Sequence, residues 1–273
     1  MRSLWIAMLV LVVGCSRGDR AAPTQTRLIT LTPSATAIVT ALGATGLLVG
    51  VDDYSKEPAE VGKLPKVGSF LTPNLEAIVA LKPSLVIVDD IHASASGALH
   101  DAGLATIECP MHALPDVKSA LRRLGDAIGK ADAATAVIQG IDAALDAAAA
   151  QRPARHPRVL AIIDREDGGL GNLVAAGPGS WLDELLAVVG GDNVLAAAGV
   201  RYPKISTEEV LRAKPDVILD LSYAAHGGVE AWATVRGSAR VVVLTDQALI
   251  APSPRVADAL AALAHAIRET TSP

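Results

Sequence analysis

At 273 residues and a formal charge of −5, the chain can bury a large core, and with no Lys/Arg block it is too acidic for a nucleic-acid binder. Its two cysteines exclude a disulfide framework. Hydrophobic residues make up 51% of the chain but only seven residues are aromatic (Trp 3, Tyr 3, Phe 1), so a core of Ala, Val, Leu and Ile is expected. The few rings that fall near loops are then the informative ones.

Arg2 precedes an unbroken apolar run over residues 4–13, the length of a signal-peptide core and too short to span a bilayer. The run ends in Val12-Val13-Gly14-Cys15, which resembles the lipobox of bacterial lipoproteins. That resemblance implies that residues 1–14 are a cleaved signal peptide. It also implies that residues 15–26 are a polar tether, acylated at Cys15 and held at a membrane surface. Cys109 is then left without a partner and reads as a small buried hydrophobe in a strand.

Behind the tether, strands and helices alternate. Residues 27–31 form a β-type run. Thr32-Pro33-Ser34 then starts a helix that Gly43 stops, a hydroxyl cap with Pro in the first turn. Strands follow over 47–51, 85–88 and 105–109, and helices over 74–81 and 93–102. This pattern predicts a doubly wound α/β lobe over residues 27–115. Residues 116–128 and 130–152 read as two helices, the second a rigid strut that Pro153 and Pro157 end, within a helical linker over 116–156. A second α/β lobe is expected over 157–273. Its strands fall at 158–163, 217–221 and 241–244, and its helices at 180–189, 206–212, 229–235 and 255–268.

Two segments of the lobes are alike. Asn74-Leu75-Glu76-Ala77-Ile78-Val79-Ala80-Leu81-Lys82-Pro83-Ser84-Leu85-Val86-Ile87 and Ser206-Thr207-Glu208-Glu209-Val210-Leu211-Arg212-Ala213-Lys214-Pro215-Asp216-Val217-Ile218-Leu219 both run helix, Lys-Pro turn, buried strand. Glu76 and Glu208 each stand seven residues before their proline, near a helix start. An acid there complements the helix dipole; matched acids on related lobes would also present two negative knobs to one partner.

These repeats, Leu31-Thr32-Pro33-Ser34, Val49-Gly50-Val51-Asp52-Asp53-Tyr54, Leu64-Pro65-Lys66-Val67-Gly68-Ser69-Phe70 and Ser253-Pro254-Arg255 resemble the periplasmic binding proteins of ABC importers for cobalamin, iron-siderophores and haem, closest to the vitamin B12-binding branch. The resemblance implies two α/β lobes joined by a single long α-helix, a ligand cleft between them, and limited closure. It implies a monomeric, non-enzymatic extracytoplasmic receptor that docks on a permease dimer with its ATPase subunits, through Glu76 and Glu208 on permease arginines.

For the cleft, Tyr54 and Phe70 follow strand-type runs of the first lobe, Tyr202 precedes the second repeat and Tyr223 follows a strand of the second lobe. Ligands of α/β sheets sit beyond strand C-termini, and flat rings suit a rigid macrocycle. Tyr54, Phe70 and Tyr202 also match cleft positions of the cobalamin-binding branch. Arg255 opens the last helix, where the dipole disfavours a cation; it is expected either to meet a carboxylate- or amide-rich ligand or to pair with Asp258. Asp89, Asp90 and His92 stand just beyond a buried strand, and His92 and Tyr54 are candidate axial ligands to a chelated metal. Trp181 reads as core, and Trp232 as either core or cleft.

No resident cofactor or bare-metal site is expected, because the six histidines are scattered. Gly168-Gly169-Leu170-Gly171 lacks the third glycine of a dinucleotide loop, and no catalytic motif stands out. Three readings stay open: a receptor for cobalamin or a related corrinoid, an iron-siderophore or haem receptor of the same build, and a membrane-tethered scaffold without ligand.

Overall fold

The computed structural model describes residues 26–69, 71–222 and 228–268. Cys15 and the segment around it, Phe70 and Tyr223 lie outside the described residues. Among those described, no helix is long and apolar enough to cross a membrane.

The first lobe runs β1 (Leu28–Thr30), α1 (Pro33–Ala41), β2 (Leu48–Val51), α2 (Ala59–Gly62), α3 (Leu75–Ala80), β3 (Leu85–Val88), α4 (Ala93–Asp101) and β4 (Thr106–Glu108). Its strands pair in the order β2-β1-β3-β4, all parallel. Apolar runs such as Leu85-Val86-Ile87-Val88 suit this sheet because helices cover both of its faces. The cap at Thr32 forms as expected, its side chain accepting from the Ala35 backbone N–H.

The crossing to the second lobe uses two consecutive helices, α5 (Leu114–Ala127) and α6 (Ala131–Ala149). The long strut is α6, about 28 Å at 1.5 Å per residue. It ends at Ala149 rather than Arg152, since the backbone ahead of Pro153 is already steered out of helix. On one side α5 packs on α1; on the other, α6 packs on helices of the second lobe.

That lobe contains β5 (Arg158–Asp164), β6 (Leu173–Ala175), α7 (Trp181–Val189), β7 (Asp192–Asn193), β8 (Lys204–Ile205), α8 (Thr207–Ala213), β9 (Val217–Asp220), β10 (Arg240–Val243), α9 (Gln247–Ile250) and α10 (Val256–Arg268). The sheet order is β10-β9-β5-β6-β8, with β7 beside β5. Strands β10, β9, β5 and β7 are parallel, whereas β6 and β8 enter antiparallel. The sequence does not predict β6, β7, β8 or α9, each too short to show a period. A 3-10 turn, Gly228–Trp232, stands where a helix over 229–235 was expected.

Two α/β lobes thus face each other across a cleft. One apolar cluster runs from Leu28 and Ile38 through Leu121, Leu124 and Ile138 to Leu185 and Leu260, so the lobes share a continuous core along the crossing helices. Trp181 and Trp232 are both buried: indole N–H groups donate to Ala248 O (3.2 Å) and to Asp220 Oδ2 (2.9 Å).

Candidate functional site

Tyr54 stands two residues beyond Asp52, at the C-terminal end of β2, with its side chain 47% exposed. Asp52 is fully buried and holds the loop: its Oδ1 accepts from the Tyr54 backbone N–H at 2.9 Å and its Oδ2 from the Ser55 hydroxyl. Ser55 Oγ lies 2.8 Å from Thr36 Oγ1, which lies 2.6 Å from Thr30 Oγ1, so the loop is tied to β1 and α1 by buried hydroxyls. Burial pushes the Asp52 carboxyl above the usual carboxylate range, against the hydrogen bonds from Ser55 and Tyr54 and the charge of Lys66.

The loop that leads to Phe70 lies against this one. Asp53 N donates to Gly68 O at 3.0 Å, and Asn74 N donates to Val67 O at 2.7 Å. Gly68 has φ +96°, and a Cβ there would stand 2.6 Å from Thr72 O, so only glycine fits. On the other lobe Tyr202, 41% exposed, precedes β8 in a loop that Gly177 N anchors through Arg201 O at 2.8 Å. A Cβ on Gly177 would meet Val200 O at 2.5 Å. Partial burial raises the Tyr202 hydroxyl pKa; Arg201 opposes this, and Asp116 at the start of α5 adds to it.

Arg255 meets carboxylates on several sides. Its Nε donates to Asp258 Oδ2 at 2.8 Å, and its NH1 lies 3.6 Å from Asp246 and 3.7 Å from Glu57 of the other lobe. Pairing with Asp258, one of the two expectations, is what the fold shows, and the Glu57 contact adds a bridge between lobes. His92 is 2% exposed, and its Nδ1 accepts from the Asp89 backbone N–H at 2.9 Å, so the ring is occupied inside its lobe. Asp89 and Asp90 follow β3 directly, and parallel pairing of β3 with β4 brings His112 beside them. His112 Nε2 lies 2.7 Å from Asp90 Oδ2. Burial, then the Asp90 carboxylate, pushes Asp89 up to about 7, while hydrogen bonds from Asp89 and His112 hold Asp90 below the usual range. Cys109, also just past β4, is buried and free, its thiol pushed up to about 11 by burial. Strand pairing therefore sets one of the scattered histidines, His112, beside two carboxylates.

Glu76 and Glu208 are exposed at the second position of α3 and α8, and neither makes an ion pair among the described residues. Their neighbour Glu209, by contrast, is used locally, capping Ser206 N at 2.7 Å. A lysine in left-handed backbone closes the turn after each helix, Lys82 (φ 48°) and Lys214 (φ 45°). The residues missed in the sequence are those that hold these turns and loops: Arg27, Arg158, Asp52, Gly68, Gly177 and His112. Extending the repeat upstream would have found the two arginines, each at the start of a β-run; nothing local marks Gly177.

A family model described as periplasmic binding protein matches residues 28–224. The chain belongs to that family. It is the substrate receptor of an ABC importer, extracytoplasmic and non-catalytic, and membership implies a permease–ATPase partner and a small-molecule ligand. The receptor is 31% identical over 198 residues to a vitamin B12-binding protein of Salmonella choleraesuis (strain SC-B67), 71% of each chain. It is 26% identical over 242 residues, 86% of each chain, to a vitamin B12-binding protein of Vibrio cholerae. Among solved structures, a periplasmic haem-binding protein of Roseiflexus sp. RS-1 superposes with a TM-score of 0.79 at 27% identity, covering 91% of the receptor and 100% of that chain. The periplasmic vitamin B12-binding protein of Vibrio cholerae gives 0.75 at 25% identity, covering 90% and 98%.

Proposed function

We propose that the receptor captures a bulky metal chelate, cobalamin or a related corrinoid, and hands it to its permease while anchored through a lipid on Cys15. The observation that carries this reading is the pair Tyr54 and Tyr202. Each lobe supplies one exposed ring, on a loop held rigid from beneath by Asp52 or Gly177. Two preorganised rings from opposite lobes match a large flat-sided guest better than a small ion or sugar. The vitamin B12-binding relatives support the corrinoid in particular. Glu76 and Glu208, alike in helix position, exposed and without an ion pair among the described residues, suit docking on permease arginines.

Haem is the second reading, supported by the likeness to the haem-binding structure and by the phenol of Tyr54 as an axial ligand. Titrating the purified receptor with cyanocobalamin, haem and ferric siderophores, read by calorimetry, tests all three. Micromolar or tighter binding of cyanocobalamin alone is expected. Selective binding of haem or a siderophore would replace the corrinoid, and silence with all three would leave a tethered scaffold.

A further inference from the structure

We propose that Asp89, Asp90 and His112 form a divalent-cation site at the C-terminal edge of the first lobe's sheet, suited to Zn2+. One donor atom from each of the three lies within 4.8 Å of the other two. The sheet itself assembles them: Val88 pairs with Glu108, so the residues that follow β3 and β4 emerge side by side. His112 is held there, because its own backbone N–H and that of Ala113 both donate to Asp116 Oδ2 at 3.0 Å.

A second observation points to a ligand. Asp89 is only 6% exposed, and apart from the hydrogen bond its carboxyl shares with Asp90, its buried Oδ1 has no partner among the described residues. Leaving a buried carboxylate oxygen unpaired costs free energy that a coordinated cation would recover. Two carboxylates and one imidazole make a mixed oxygen and nitrogen set that Zn2+ accepts readily, at bond lengths near 2.0–2.2 Å. Small rotations of Asp90 and His112, which are not fully buried, would draw the donors to tetrahedral spacing. Three protein ligands leave a fourth position open to water or to an anionic group.

The test uses the full chain in detergent, stripped with a chelator and titrated with ZnCl2 by calorimetry and with CoCl2 by visible absorption. One-to-one saturable binding is expected, with the stronger visible bands of four- or five-coordinate Co2+. Asp89→Asn and His112→Gln should each weaken it at least ~10-fold. His100→Gln, which alters an exposed histidine beside Asp101, should leave it unchanged. Thermal melts by circular dichroism check that the variants fold; if Asp89→Asn does not, the partly exposed His112 decides alone. No saturable binding, or unchanged affinity in His112→Gln, would overturn the site.

Discussion

Arg27 and Arg158 make the same contacts in the two lobes. Arg27 NH2 donates to Leu81 O at 2.6 Å and its Nε to Lys82 O at 3.1 Å; Arg158 NH2 donates to Ala213 O at 2.7 Å and its Nε to Lys214 O at 3.4 Å. Each arginine thus reaches from the start of a strand to the carbonyls that end the helix bearing Glu76 or Glu208. These carbonyls have lost their intrahelical donors, and the lysine of each pair has positive φ, so a cation there satisfies both dipole and lone pairs.

Replacing either arginine by alanine is expected to destabilise its lobe by about 1 kcal/mol, the contacts being charged but exposed. Lysine should restore only part of this, because it lacks the fork that meets two carbonyls at once. Urea unfolding of the four variants, with unchanged ligand affinity, is the check.

Gly68→Ala should lower stability by ~1–3 kcal/mol and weaken ligand binding as well, since the residue cannot keep φ +96° and avoid Thr72 O. Gly177→Ala should act likewise on the Tyr202 loop. Melting temperature and calorimetric affinity should fall together in both, whereas a purely stability effect would leave affinity intact.

Asp52 predicts a pH dependence. Its folded pKa lies above the ordinary carboxyl value, so the folded chain holds the proton more tightly than the unfolded one. The stability this contributes is full below about pH 4 and is lost as pH rises through the raised value. Asp52→Asn keeps the acceptor for Tyr54 N and removes the titration. The stability of the wild-type chain minus that of the variant should therefore fall with rising pH and then level off, as read by denaturant unfolding across the acid range.

Removing one ring, Tyr54→Ala or Tyr202→Ala, should weaken capture of the chelate by roughly 10-fold each while the fold is kept, the scale of an aromatic contact. Phe in place of Tyr54 separates the readings: corrinoid stacking survives it, and axial ligation of haem does not. Calorimetry with each ligand distinguishes them.

The double variant Glu76→Ala/Glu208→Ala should bind ligand normally and fail in uptake, because both carboxylates are exposed and make no ion pair among the described residues. Normal uptake by cells carrying only this variant would remove the docking role.

What the sequence by itself determined was local and periodic. The alternation of strands and helices, the cap at Thr32, the Lys-Pro turns and the matched stations of Glu76 and Glu208 all follow from residues within about a dozen positions of one another. Short antiparallel strands such as β6 and β8 escaped because two or three residues carry no period and owe their form to neighbours in the sheet. Only the tertiary structure decided which side chains were spoken for. Arg255 found carboxylates on both lobes, His92 turned inward to Asp89, and His112 came to Asp89 and Asp90 through strand pairing. Such contacts join residues far apart in the chain, and no local pattern encodes a distance that closes only when the sheet does.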